Sequence, residues 1–389
     1  MTADAHPAAP EFSVAGNQLQ LLREPSHRLA ALLGLIADAR ISLRLLYYIF
    51  EDDQTGVQIR DALAAAAQRG VQVDLIIDSF GSAGTDAQFF SPLVAAGGKF
   101  SQFSPHWTKA YLVRNHQKFV IADNDAALIG GFNIADSYFG ESNSGDGWED
   151  LGLIISGPAV PWLTRYFDRL SQWTHDDNRQ VRKFLQRIEK NSPAGQPLQW
   201  LLGSPGTRMS HWARAIKQDL ERSQHLDMVT AYFSPGLGFL RRIGQLAKRG
   251  TVRLVLAGRT DNGATIGAAR LLYGFLLKRG AQVQEYQPHR LHTKLIVLDD
   301  IVYIGSANFD ARSLFINFEL MLRIEDSTFA AHARDIVDAL SSEAENFDLV
   351  DYRAKAGWFN RLRWLLAYFL VNIIDYSVTR RLNFGLRPD

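Results

Sequence analysis

Residues 114–123, RNHQKFVIAD, and residues 291–300, LHTKLIVLDD, carry one spaced triplet twice: His116, Lys118 and Asp123, then His292, Lys294 and Asp299. With 10 His, 10 Lys and 29 Asp among 389 residues, this spacing is expected about 0.02 times by chance. Two copies therefore mark an internal repeat. Each copy runs into a short apolar strand, a turn, a second strand and a glycine-containing loop that ends in asparagine. Those loops are Gly130-Gly131-Phe132-Asn133 and Gly305-Ser306-Ala307-Asn308.

Working outward, the same order of elements surrounds both copies. ISLRLLYYIF (41–50) reads as a strand, GVQIRDALAAAAQRG as a helix, and VQVDLIID as a buried strand. From about residue 225 the order returns: HLDMVTAYF, LGFLRRIGQLAKRG, VRLVLAG, AARLLYGFLLKRG, AQVQEYQP and HTKLIVLD. Strand–helix alternation of this kind predicts βαβ units, so the fold class is α/β, with two halves built on parallel or mixed sheets. A helical stretch over 159–190 and the looser EKNSPAGQPLQ place the boundary between them. The expected division is 1–18 disordered, 19–190 first half, 191–350 second half and 351–389 a C-terminal amphipathic, membrane-associated helix. The first half carries seven extra residues before its histidine, with ten residues between Pro105 and His116 against three between Pro288 and His292.

Composition narrows the function classes. The chain is 47% hydrophobic and 21% charged, which suits a large core and excludes a disordered chain. Its net charge of +1 argues against a nucleic-acid partner. The absence of cysteine removes thiol catalysis and Cys-ligated zinc. No signal peptide is visible, and no uncharged apolar run approaches the ~18 residues of a spanning helix.

The triplets themselves suggest phosphate chemistry. Residues two apart on a strand share a face, so His and Lys of each copy project together. Glycines let the backbone approach closely and bring the Asn amide to the same point. Each half thus offers an imidazole, an ammonium and an amide, and two facing halves put two imidazoles around one phosphorus. Asp123 and Asp299 open tight turns, DND and DD, a role that turn chemistry explains by itself.

These motifs resemble the phospholipase D superfamily, and more closely the bacterial cardiolipin synthases of the shorter type without N-terminal spanning helices. The carrying segments are YYIFEDDQTG, RNHQKFVIAD with IGGFNIAD, GWEDLGLIISGPAV, EYQPHRLHTKLIVLDD and IGSANFDARSLFINFEL. They cover most of residues 40–350. Glu149, before Asp150, departs from the basic residue often found there.

The resemblance implies two phospholipase D-like halves forming a pseudo-dimer with one shared active site. It implies a catalytic set of His116, Lys118, Asp123, His292, Lys294 and Asp299, with His116 as nucleophile and His292 as general acid. Asn133, Asn308 and Ser306 would bind phosphate oxygens, and Glu319 and Asp150 would orient the histidines. It implies no cofactor and no metal. The activity implied is phosphatidyl transfer that makes cardiolipin from phosphatidylglycerol, or another phosphatidyl donor, through a phosphatidyl-histidine. The alternatives are a hydrolytic phospholipase D, a nuclease and, from another class, a non-catalytic lipid-binding protein. The expected partners are phospholipid substrates and a membrane surface, with a peripheral place on the bacterial cytoplasmic membrane.

Membrane contact has sequence signals of its own. Residues 358–381, WFNRLRWLLAYFLVNIIDYSVTRR, form an apolar helix with Arg361, Tyr368, Asn372, Asp375 and Thr379 on one stripe. Its longest uninterrupted apolar run, Trp364–Val371, spans about 12 Å, far short of a ~30 Å bilayer core. It reads as an interfacial helix or as one packed on the protein's own core. Trp107, Lys109, Tyr111, Leu112 and Arg114 in the first-half insertion have a similar aromatic and basic character.

Overall fold

The computed structural model describes residues 9–104, 113–140, 147–175, 195–205 and 209–374. The first half contains β1 (Glu11–Val14), β2 (Asn17–Leu22), β3 (Ser42–Tyr47), β4 (Gln72–Asp78), β5 (Lys99–Phe103), β6 (Phe119–Ala122), β7 (Ala126–Gly130), β8 (Trp148–Glu149) and β9 (Gly152–Ser156). The second contains β10 (Leu198–Gly203), β11 (His225–Thr230), β12 (Phe233–Ser234), β13 (Thr251–Ala257), β14 (Gln282–Tyr286), β15 (Arg290–Leu291), β16 (Lys294–Leu298), β17 (Ile301–Gly305), β18 (Phe309–Asp310), β19 (Glu319–Glu325) and β20 (Ala344–Phe347).

The repeat read from the triplets is a repeat of topology. One eight-stranded sheet runs β1-β2-β9-β7-β6-β3-β4-β5 and the other β10-β19-β17-β16-β11-β13-β14-β20. Seven strands correspond one to one, and the extra strand is added at opposite edges. Both sheets are mixed: β3-β4-β5 and β11-β13-β14 are parallel, whereas β6 and β16 join antiparallel to β3 and β11.

Alternation along the strands sets the layers. Phe119 and Ile121 of β6, with Leu295 and Val297 of β16, point into one core shared by both sheets. Val120 and Ala122 point to the outer core of the first half, and Ile296 and Leu298 to that of the second. The helices Val160–His175 and Ser327–Ser342 both contribute to the shared core, so the two sheets are docked through a continuous apolar layer.

Two expectations are corrected. Residues 11–18 are not disordered: β1 and β2 form an antiparallel hairpin, and β2 adds to β9. The turn uses Ala15 and Gly16 at φ 48° and 77°, and the period-two pattern NQLQLL buries Leu19 and Leu21. Residues 1–8 lie outside the described residues. The C-terminal segment is not one helix from 351. Leu349–Lys355 is followed by a separate helix, Trp358–Tyr368, and a π-helical turn at Phe369–Ile374. Residues beyond 374 are outside the described set.

The helix Trp358–Tyr368 has two faces. Trp364 and Ala367 are buried on Gly267 of the helix Gly263–Leu277, where an added methyl would come within 3.1 Å of the Ala367 side chain. Trp358, Phe359, Leu362, Leu365, Leu366 and Leu370 are 46–79% exposed. Among the described residues no helix is long and apolar enough to cross a membrane.

Candidate active site

Each histidine stands just before its strand rather than on it, held there by the opposite half. The His116 amide donates to the Phe318 carbonyl at 2.9 Å, and Phe318 donates back to Arg114. Symmetrically, the His292 amide donates to the Glu149 carbonyl at 2.8 Å, where β8 and β15 pair in parallel. Glu149 therefore serves the site through its backbone, while its side chain is in a 2.8 Å ion pair with Arg23.

The residue after each accepting carbonyl is the carboxylate that meets the imidazole. His116 Nδ1 lies 3.1 Å from Glu319, and His292 Nδ1 lies 2.6 Å from Asp150. Each histidine is thus paired across the two halves. A carboxylate on Nδ1 fixes the tautomer with its proton there and leaves the Nε2 lone pair available. Both imidazoles line one cavity of about 560 Å³.

The two pairs differ in what else the carboxylate holds. Glu319 also accepts from Ser306 at 2.5 Å, Ser313 at 2.8 Å and Asn317 at 3.4 Å. Among the described residues, Asp150 has one further side-chain contact, the Leu151 amide at 2.8 Å. A methyl at Gly131, the position matching Ser306, would come within 2.5 Å of the Asp150 carboxylate. Glycine at 131 is what lets that carboxylate sit against its loop. The buried Arg28 donates to the Asp150 carbonyl and fixes its backbone.

Lys118 and Lys294 are each only 2% exposed. Their ammonium groups donate to the carbonyls of His116, at 2.6 Å, and of His292, which ties each lysine to its own histidine. Burial, together with each other's charge in the case of Lys118, brings Lys118 down to about 7; burial brings Lys294 to about 8 despite Asp150 and Glu319. Burial also lowers both histidines, His292 to about 4, with Lys294 acting in the same direction against Asp150. Burial favours the protonated acids, but His292 and Lys294 outweigh it at Asp150, and His116 and Lys118 at Glu319, so both carboxyls titrate below their usual range. The resting site thus presents two neutral imidazoles above two reluctant ammonium groups. A bound anionic phosphodiester favours the ammonium form of both lysines and offsets the cost of a proton on an imidazole.

The structure gathers most of the sequence candidates and separates three of them. Asn133 and Asn308 line the cavity. Asn133 Oδ1 accepts from the Ile49 amide at 3.1 Å and its Nδ2 donates to Tyr138 Oη at 3.0 Å. Asp123 and Asp299 do not belong to the cavity. Asp123, at φ 52°, accepts the amides of Arg40, Ile41 and Ser42, and Asp299, at φ 46°, those of Gln224 and His225. They latch the start of β3 and of β11, which is turn chemistry remote from phosphorus. Ser306 is no cavity donor either, because its hydroxyl is spent on Glu319.

Other residues of the wall escaped the sequence reading. Tyr48 lies 4.9 Å from His116, ring centre to ring centre, and Tyr138 and Trp148 lie 5.3 and 5.2 Å from His292. Arg114, assigned above to a lipid-facing loop, is 8% exposed, lines the cavity and stacks its guanidinium 3.7 Å from the centre of the Phe80 ring. Residues 105–112 of that insertion lie outside the described residues. Arg312, Tyr232, Asp261 and Asp310 complete the lining, with Asp261 exposed and Asp310 buried. Their only signal was position, next to the triplets and at strand ends. Among the described residues no group of three or more His, Asp or Glu side chains could hold a metal ion.

Comparison with known proteins gives the family and the fold. Residues 32–171 and 216–341 match the family described as cardiolipin synthase, PLD-like domain. Cardiolipin synthase B of Shigella flexneri is 29% identical over 362 residues, 91% of this chain and 87% of its own. The major cardiolipin synthase of Bacillus subtilis is 30% identical over 326 residues, 81% of this chain and 67% of its own. The phosphatidylserine synthase structure of Haemophilus influenzae superposes with a TM-score of 0.72 over 96% of this chain and 97% of that one. At 14% identity it speaks to the fold alone.

Proposed function

The chain belongs to the cardiolipin synthase, phospholipase D-like family, and from that premise we propose that it makes cardiolipin from phosphatidylglycerol. It is an enzyme of the phosphatidyltransferase and phospholipase D type. The observation that carries the finer reading is the crossed arrangement, in which two imidazoles, each backed by a carboxylate of the other half, face one cavity.

In the first step His116 Nε2 attacks phosphorus, the bond from phosphorus to the headgroup oxygen breaks, and the departing glycerol takes a proton from His292. In the second, the terminal hydroxyl of another phosphatidylglycerol gives its proton to His292. Its oxygen bonds to phosphorus, and the phosphorus–nitrogen bond breaks to restore His116. Two phosphatidylglycerols thus yield one cardiolipin and one glycerol. Lys118, Lys294, Asn133 and Asn308 hold the equatorial oxygens, where negative charge must be balanced.

Role assignment follows the carboxylates. Asp150 focuses its charge on His292, which must carry a proton in each step. Glu319 divides its charge among four donors, leaving His116 the better neutral nucleophile.

The exposed apolar face of the helix Trp358–Tyr368 lies against a lipid surface in this reading. Gly258 and Gly263, at the ends of the loop that carries Asp261, share a surface hollow with Leu366 and Leu370. The helix is therefore near the mouth through which a headgroup must enter. Purified protein incubated with phosphatidylglycerol alone and followed by mass spectrometry tests the reaction. Cardiolipin with free glycerol is expected; phosphatidic acid as the sole product would make the protein a hydrolase.

A further inference from the structure

The cavity lining carries both signs of charge, Arg114 and Arg312 together with Asp261 and Asp310. Tyr48, the ring beside His116, is near Asp78 and Glu319 as well as Arg114 and Arg312. Tyr138, the ring beside His292, is near Asp150 and also near Tyr232 and Asp261. A carboxylate at the mouth of a pocket for anionic diesters repels its substrate's phosphate, so it needs another partner.

The geometry around Asp261 indicates what that partner is. Its Oδ1 accepts from Tyr232 Oη at 2.6 Å and from Thr260 Oγ1 at 2.9 Å. Among the described residues nothing else donates to this carboxylate, which leaves Oδ2 as an acceptor at the mouth. The side chain is exposed yet oriented by two hydroxyl groups, and it caps no helix: Asn262 caps the helix Gly263–Leu277. At the corresponding strand end of the first half, after β4, the mouth is formed by Phe80 beneath Arg114.

Displacement at phosphorus is in line, so the departing oxygen lies opposite the nucleophile. With His116 attacking, as proposed above, the headgroup extends toward His292 and Asp261. The accepting alcohol enters along the same line. We propose that Asp261, oriented by Tyr232, is the residue that selects a glycerol-type headgroup, accepting a hydrogen bond from the hydroxyl next to the ester carbon. One carboxylate then reads the leaving alcohol in the first step and the accepting alcohol in the second. A charged acceptor is suited to this, because its hydrogen bond to a hydroxyl is stronger than one made by a neutral acceptor.

This selectivity rests on the transferase reading, and the test separates the two. Purified full-length protein, wild type and Asp261→Ala, receives in detergent micelles headgroup-labelled phosphatidylglycerol, phosphatidylethanol or phosphatidylethanolamine as donor, with unlabelled glycerol in the same excess throughout so that every phosphatidyl group has an acceptor alcohol. Release of the headgroup alcohol gives kcat/KM for each. Wild type should favour phosphatidylglycerol, and in Asp261→Ala its preference over phosphatidylethanol should fall by about tenfold or more. Tyr232→Phe should fall between the two, because it loosens the carboxylate without removing it. A preference within twofold of wild type, or equal loss on all donors, would overturn the proposal. So would a loss confined to phosphatidylethanolamine, which would make Asp261 an ammonium site. Wild-type protein that turns over none of the three lipids, or that leaves phosphatidic acid as the sole lipid product, would overturn the transferase reading itself.

Discussion

The two histidine pockets come from one repeated motif, yet they are not equivalent. His292 lies 2.6 Å from a carboxylate with one competing donor among the described residues, the Leu151 amide, and edge-on to the stacked rings of Tyr138 and Trp148, with its side chain 7% exposed. His116 lies 3.1 Å from a carboxylate shared with three further side chains, beside Tyr48, and is 13% exposed. A single substitution in register, Gly131 against Ser306, accounts for much of the difference. Duplication supplies two of everything, and small changes in who shares a carboxylate make two equal groups unequal.

The sharpest way to break that comparison is to remove each histidine separately. His116→Ala and His292→Ala should each lower lipid turnover by about 10⁴-fold or more. A phosphodiester with a nitrophenyl leaving group, which departs without a proton, should separate them. His292→Ala should give a burst of nitrophenol and a trapped phosphohistidine, and His116→Ala neither. A burst only in His116→Ala would exchange the roles.

The lysines come next. Lys118→Met and Lys294→Met should each cost about 10²–10³-fold in activity. Stability should move differently. Lys118 titrates at about 7 in the folded protein and at 10.5 when exposed, so between these values the unfolded chain holds the extra proton. Wild-type stability accordingly rises with pH across that window, and below it the buried charge is costliest. Denaturant titrations at pH 6 and pH 9 should find that Lys118→Met lacks this part of the rise. In activity, kcat/KM should decline as pH passes about 7 to 8 and the free enzyme's ammonium charges are lost, whereas kcat should hold to higher pH because bound phosphate stabilises those charges.

The carboxylates sharpen the comparison itself. Asp150→Asn should cost about a hundredfold and Glu319→Gln about tenfold, because only the former backs the histidine that must become charged. Equal losses would mean that the difference in sharing has no kinetic weight. The smallest effect belongs to the outer surface, where the second half carries the apolar helix Trp358–Tyr368. Leu362→Asp with Leu366→Asp should weaken binding to phosphatidylglycerol vesicles several-fold while micellar turnover changes less than twofold.

Much of this was legible before any coordinates. The doubled His-x-Lys spacing and the strand–helix alternation carried the fold, since both follow from local periodicity. Glu319 and Asp150 came from resemblance, but their crossing could not be read, because a sequence repeat does not say which half a side chain faces. The β1–β2 hairpin was missed because NQLQLL has only three apolar residues, and their alternation matters only once β9 offers an edge. Ser306 was misread as a phosphate donor because nothing local reveals that Glu319 reaches it from thirteen residues on. Arg114, Tyr232 and Asp261 are ordinary residues in sequence and become a wall only when two sheets close on each other.

The crossing of the carboxylates works as an interlock. A half that folds but has not docked holds an imidazole with no carboxylate behind it, and holds the carboxylate its partner lacks. Both chemical roles are thus switched on by the same event, the burial of the shared apolar layer. In the reaction proposed above, a nascent or partly unfolded chain is therefore silent, and only the closed molecule is competent.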